Sequence, residues 1–206
     1  KKRESRKPLI IKGARQVGKT WLMKNFAEEQ FDECIYINFE RDIPLRELLE
    51  QDYDVNRILL ALEIQSGKDI KKGKTLVILD EIQEAKGGLT ALKYFHEEEP
   101  ELHIIAAGSL LGLILHNDQS FPVGKVEFLN LSPLNFEEFL LAKEETKLLS
   151  LLKNKQWALI KTFKTKFVAL LKQYYFVGGM PEAVNDFITN EDFKEVRRIQ
   201  KSVLDS

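Results

Sequence analysis

Of the 206 residues only one, Cys34, is cysteine, which excludes an intramolecular disulfide framework and fits a reducing compartment. Its place in an apolar segment reads as a buried strand position. Long hydrophobic runs are missing as well: the longest, residues 104–115, falls well short of the about 20 residues that a membrane-spanning helix needs. It fits a strand running into a helix. The basic residues 1–7 are followed by an apolar run of only residues 9–11, so no signal peptide is expected and the cytoplasm is the expected location, with no membrane partner. Excess charge of one sign is absent too. Lys and Arg number 31 against 32 Asp and Glu, a net charge of −1, which leaves no global electrostatic footprint for nucleic acid or an anionic membrane. A nucleic-acid partner stays possible but would require a local patch. The three histidines, His96, His103 and His116, have no ligand-like spacing with Cys or carboxylates, which argues against zinc. The first residue is Lys and not Met, so the sequence is read as a piece of a longer chain, and its end at Ser206 as equally arbitrary.

What is present is an ordinary globular composition, 44% hydrophobic and 31% charged, in a length that suits one α/β domain with a small appendage. Apolar, β-branched segments at residues 9–12, 34–39 (CIYINF), 75–79 (TLVIL), 103–107 (HIIAA) and 126–131 predict strands. Between them, residues 19–29, 44–50, 55–65, 89–97 and 110–115 carry helical spacing. Strands that alternate with helices and are apolar throughout predict a parallel sheet covered on both faces, hence an α/β fold. After Pro133 the strand signals stop. Residues 136–142, 157–175, 181–188 and 192–204 read as helices, so the chain is divided into a core at 1–133 and a helical lid subdomain at 134–206. In the longest of these helices Ile160, Phe163, Phe167, Leu171 and Tyr174 recur at steps of three and four, which predicts one buried stripe. The face carrying Lys161, Lys164 and Lys172 reads as solvated rather than as a nucleic-acid surface.

Two segments carry chemistry. GARQVGKT at residues 13–20 fits GxxxxGK[ST] and lies between a predicted strand and a predicted helix, the context that a phosphate-binding loop requires. Gly13, Ala14, Arg15, Gln16, Val17 and Gly18 would wrap backbone N–H groups around a β-phosphate, and the helix N-terminus adds its dipole. Lys19 would neutralise β- and γ-phosphate oxygens, Thr20 would place its hydroxyl on Mg²⁺, and Trp21 closes the cofactor-binding stretch. LVILDE at residues 76–81 then delivers Asp80 to the carboxyl edge of the sheet, where it would hold Mg²⁺, and Glu81 to the position of the base that orients and deprotonates attacking water. The cofactors expected are ATP and Mg²⁺.

Other residues admit a plain reading beside a functional one. Ser109, ending HIIAAGS, would lie near the γ-phosphate as a sensor or water-positioning hydroxyl, and it is equally a helix N-cap. Gly178, Gly179, Met180 and Pro181 form either an interhelical turn or a free helix N-terminus facing the nucleotide. Arg15 reads as paired within its loop, Arg197 and Arg198 as surface arginines, and the lysine-rich residues 68–74 as a solvated turn.

With GARQVGKT, LVILDEIQ, AAGSLLG, FPVGKVEFLNLSPLNFEEFL and YYFVGGMPEAV in this order, the chain resembles the AAA-type ATPases of the archaeal-type ATPase group, common in prokaryotes, over nearly all of its length. The resemblance implies a P-loop NTPase three-layer sandwich with a five-stranded parallel sheet of order 5-1-4-3-2, a helical lid, ATP and Mg²⁺ as ligands, and Ser109 as sensor 1. It also implies a further, nuclease-like domain beyond Ser206. No arginine stands where the blocks after Ser109 would offer a finger, since Lys125 follows Gly124. The function expected is Mg²⁺-dependent ATP hydrolysis coupled to conformational change, with Lys19, Glu81 and Ser109 as the catalytic set and Thr20 and Asp80 on the metal. The alternative is a slow or non-hydrolysing nucleotide switch that recruits an unidentified macromolecule, linked to DNA or to the further domain. A small-molecule kinase is disfavoured by the lack of arginine in residues 140–175, and a GTPase by the lack of a guanine-reading NKxD motif.

Overall fold

The computed structural model describes residues 6–109 and 124–205. The helix expected at 110–115 and His116 lie outside them. The chain forms two compact units, Lys1–Ala14 with Gly18–Leu131, and Arg15–Val17 with Ser132–Ser206.

The first unit runs β1 (Leu9–Lys12), α1 (Lys19–Gln30), β2 (Glu33–Asn38), α2 (Ile43–Gln51), α3 (Val55–Ser66), β3 (Thr75–Asp80), α4 (Gly88–Glu98), β4 (His103–Gly108) and β5 (Glu127–Asn130). All strand pairs are parallel, in the order β2-β3-β4-β1-β5, which is the expected order read from the other edge. Strand alternation sends successive side chains to opposite faces. Ile35, Ile37, Val77, Leu79, Ile104 and Ala106 therefore pack in one cluster with Leu45 and Leu49 of α2, Ile58 and Leu62 of α3, and Leu92 and Phe95 of α4. Their neighbours Leu76, Ile78, Ile105 and Ala107 join Met23 and Ala27 of α1 in a second cluster on the other face. The result is a helix–sheet–helix sandwich.

Local chemistry sets the helix ends. The Asp42 carboxylate accepts from Leu45 N at 3.2 Å and Asp54 from Arg57 N at 3.0 Å, both N-caps that satisfy otherwise orphan amides. Gly67 ends α3 in the left-handed region at φ 67°. Two expectations are corrected. Cys34 lies on β2 but is only half-buried, because β2 is an edge strand and one side of it has no strand neighbour among the described residues. Strand β5, at the opposite edge, is exposed at every residue, so coverage on both faces stops short of it.

The second unit is helical: α5 (Phe136–Ala142), α6 (Thr146–Lys153), α7 (Trp157–Thr162), α8 (Lys164–Val177), α9 (Pro181–Asn190) and α10 (Phe193–Leu204). Helix α5 opens with a capping box in which the Asn135 side chain accepts from Glu138 N and the Glu138 side chain from Asn135 N, a reciprocal cap that fixes the chain's entry. Phe139 and Leu140, adjacent on α5, face two separate cores. Phe139 packs with Val177, Val184, Phe187, Val196 and Ile199, and Leu140 with Leu148, Leu149, Phe167 and Leu170.

The single helix expected at 157–175 is two helices that meet at Phe163, and Phe163 is 47% exposed. The buried line is consequently Phe167, Leu170 and Val177, with Ile160, Leu171 and Tyr174 only partly covered. Helix α6, unanticipated, supplies Leu148 and Leu149 to the core. The glycines before α9 are needed for different reasons. Gly178 takes φ 74°, and a Cβ on Gly179 would lie 2.1 Å from Leu134 O, where Leu134 N donates to Gly179 O at 2.7 Å. Pro181 opens α9, where its missing N–H costs nothing.

Candidate functional site

Parallel pairing brings the carboxyl ends of the strands to one edge. The register sets Asn38 beside Asp80, Leu79 beside Ala106, and Lys12 beside Gly108. The residues that leave this edge are Gly13, Glu81 and Ser109, so the two sequence motifs meet through topology alone.

The loop after β1 bends through Gln16 at φ 61° and Gly18 at φ 97°; the second value is one that glycine adopts without steric penalty. Arg15 and Gln16 are exposed and Val17 is buried. Helix α1 starts directly with Lys19, which is 5% exposed. Its Nζ donates to Gly13 O at 3.0 Å and Ala14 O at 2.9 Å, which holds the ammonium over the loop's first residues. Thr20 Oγ1 donates to Asp80 Oδ2 at 2.6 Å. The Trp21 side chain is 70% exposed.

Asp80, 1% exposed, is a buried carboxylate and requires donors. Besides Thr20, Tyr36 OH donates to Oδ2 at 2.8 Å and Glu81 N to Oδ1 at 3.1 Å. Asn38 Nδ2 lies 3.4 Å from the Tyr36 hydroxyl, while Asn38 Oδ1 accepts from Glu40 N at 2.9 Å. Lys24 Nζ sits 4.0 Å from the Tyr36 ring centroid. Burial pushes the Tyr36 hydroxyl pKa up, the bond to Asp80 adds to the rise, and the bond from Asn38 opposes it. Tyr36 is thereby kept a neutral donor.

Glu81 adopts a left-handed backbone, φ 50° and ψ 46°, at the start of a 3₁₀ turn over Ile82–Glu84. Its Oε2 accepts from Gln83 Nε2 at 2.6 Å, Ser109 Oγ at 3.2 Å and Ser109 N at 3.3 Å. Oε1 accepts no hydrogen bond among the described residues, so one carboxylate oxygen is clamped and the other is not. Thr20, Asp80, Glu81 and Ser109 thus form one connected polar chain beside the glycine loop.

Sequence reasoning singled out Lys19, Thr20, Asp80, Glu81 and Ser109, and all five gather at this edge. Tyr36, Asn38 and Gln83 were missed. A signal existed for the first two: they are polar residues two apart in an otherwise apolar strand, hence on one face. Elsewhere, Lys125 pairs with Glu97 at 3.1 Å, and Lys72 with Glu99 at 2.6 Å. His96 Nδ1 lies 3.0 Å from Arg6 O, and Arg6 faces the His103 ring. Among the described residues no group of three or more His, Cys, Asp or Glu side chains gathers as a metal cluster, and no helix is long and apolar enough to cross a membrane.

Among solved structures, the Walker-type ATPase PABY2304 of Pyrococcus abyssi matches with a TM-score of 0.57 at 19% identity, over 96% of this chain and 69% of that one. At that identity the likeness shows the fold alone. The ORC2 protein of Aeropyrum pernix (TM-score 0.43, 20% identity, 70% of this chain and 47% of that one) and PCH-2 of C. elegans (0.42, 12%, 70% and 40%) superpose too loosely to carry an argument. No curated protein matches the sequence. The family model for the AAA domain matches residues 5–140, and the chain therefore belongs to the AAA domain family, as an ATPase-type nucleotide-binding module on a P-loop α/β fold.

Proposed function

We propose that this AAA domain protein binds ATP with Mg²⁺ and hydrolyses it slowly, using the cycle to drive a conformational change. The observation that carries the reading is the polar chain from Thr20 through Asp80 and Glu81 to Ser109 beside a complete phosphate loop. Residues 13–21 are the cofactor-binding stretch. In it, backbone N–H groups of the loop surround the β-phosphate and Lys19 moves its ammonium from the Gly13 and Ala14 carbonyls onto phosphate oxygens. Thr20 and Asp80 are hard oxygen donors of the kind that hold Mg²⁺ together with phosphate and water. Held there, Mg²⁺ would supply positive charge against that developing on the transferring phosphoryl group. Tyr36 fixes the orientation of Asp80. Glu81 holds the attacking water on its free Oε1 and takes its proton, while Ser109 keeps the carboxylate in place and senses the γ-phosphate.

Turnover is expected to be slow because Lys125 is tied to Glu97 and no arginine finger, which supplies about 10³ to 10⁵ in rate elsewhere, is found among the described residues. That same observation favours one second reading, a nucleotide switch that recruits a macromolecular partner. In either case residues 1–133 are the catalytic core and 134–206 the lid, working in the cytoplasm.

The test is Mg²⁺-ATP hydrolysis and nucleotide binding measured together for the wild type and for Glu81→Gln. Loss of a general base should slow phosphate release by about 10² to 10⁴-fold with binding retained. Equal rates in the two proteins would remove Glu81 from its role. Tight binding without turnover in either would establish the switch.

A further inference from the structure

Charge is unevenly distributed along the chain. Residues 146–181 contain seven lysines and no Asp or Glu, although the whole chain is at −1. Within this stretch α7 and α8 are separated only by Phe163, whose amide donates to Leu159 O at 2.9 Å and whose carbonyl accepts from Phe167 N at 3.1 Å. Phe163 thus closes α7 and opens α8, and the two helices meet there. A step of four sets Trp157 and Lys161 on one line of α7, and steps of four, four and three set Lys164, Val168, Lys172 and Tyr175 on one line of α8. All six are exposed, Trp157 by 67% and Tyr175 by 75%, and those on α8 lie opposite its buried line of Phe167, Leu170 and Val177. Lys161, Lys164 and Lys172 have no ion pair or side-chain hydrogen bond among the described residues, whereas Lys166, off these lines, is paired with Glu145 at 2.7 Å.

We propose that the exposed lines of α7 and α8 together form a docking surface for single-stranded nucleic acid, with lysines on the phosphates and Trp157 and Tyr175 stacked on unpaired bases. Three features select this occupant. Unneutralised lysines without interspersed acids complement a polyanion. Large aromatic rings left in water on both helices are the platforms on which bases stack without regard to sequence. Duplex DNA or RNA keeps its bases stacked internally and offers such rings nothing. An anionic membrane would instead require a continuous apolar strip to bury among the acyl chains, and here lysines interrupt it at every turn.

The probe is a fluorescein-labelled oligothymidylate of about 16 nucleotides, the upper end of common site sizes, titrated with the full chain at several salt concentrations. Fluorescence anisotropy should report binding that weakens with salt. The triple variant Lys161→Gln, Lys164→Gln, Lys172→Gln should lower the log–log salt slope by about 2, since each neutralised phosphate on a single strand contributes about 0.7. The double variant Trp157→Ala, Tyr175→Ala should weaken binding at least about fivefold per aromatic with the slope unchanged. Every substitution is at an exposed position, and circular dichroism confirms the fold. Absence of binding at low salt, an unchanged slope in the triple variant, or indifference to the aromatic pair would each overturn the proposal. So would equal affinity for a duplex of the same length, or for vesicles of phosphatidylserine and phosphatidylcholine. ATP hydrolysis is read separately, so failure here leaves the nucleotide site untouched.

Discussion

The two units bury different things. The first carries all three buried polar residues of the described chain, Lys19, Thr75 and Asp80, two of them at the edge where the phosphate loop meets β3. In the second, the fully buried side chains of its cores around Phe139 and Leu140 are apolar, and among the described residues burial of polar groups is limited to single atoms such as Gln173 Oε1 and Asp186 Oδ2. A parallel sheet gathers its strand ends on one edge and so provides a place where buried charges find partners. A helical bundle has no such edge, and any buried charges in it must find partners on facing helices. The contrast fits the placement of Lys19, Thr20, Asp80, Glu81 and Ser109 in the first unit, with Arg15–Val17 of the loop counted with the second.

Three substitutions probe this contrast. The largest effect is expected from Phe187→Ala in α9, which removes a side chain 2% exposed between Phe139 and Phe193. It should cost about 3–5 kcal/mol, read by denaturant unfolding, and a loss below about 1 kcal/mol would mean that the helical core is loosely packed after all. Next comes Gly179→Ala. Its Cβ would meet the Leu134 carbonyl at 2.1 Å, and the strain should cost about 1–3 kcal/mol in the same measurement; a neutral result would show that this turn yields freely. The smallest is Tyr36→Phe in the first unit, which removes the hydroxyl donated to Asp80 and should cost about 1.5 kcal/mol, the low end for a bond to a charged group.

Tyr36 also gives a pH test. Its pKa in the fold is raised, with burial the leading cause, so the fold favours the protonated phenol. That contribution is fully present below the ordinary tyrosine value of about 10 and is lost as pH rises through the higher folded value. Wild-type stability should fall over this window by more than that of Tyr36→Phe. Identical profiles would show that the hydroxyl does not support the polar centre.

Local patterns made the first unit readable. Each strand was found from its own apolar run, and the phosphate loop from eight consecutive residues. Asp80 and Glu81 followed from being the end of a strand. What escaped depends on lateral neighbours: Tyr36 and Asn38 matter because β2 pairs in register with β3, a contact that no window of sequence contains. The half-burial of Cys34 and the exposure of β5 are likewise consequences of edge positions. In the second unit α6 escaped because no side-chain cap marks its start, whereas the shorter α5 opens with the Asn135 capping box. The break at Phe163 was hidden because helical spacing in the sequence runs straight through it.

Glu81 has a further consequence. A residue with a Cβ in the left-handed region costs roughly 1–2 kcal/mol relative to the right-handed one, and glycine would relieve that cost entirely. The backbone at φ 50° thus prefers the one residue that has no carboxylate to offer. Under the proposed function, selection for thermal robustness alone presses on this position through its backbone, and the three hydrogen bonds that Oε2 accepts from Gln83 and Ser109 oppose the replacement.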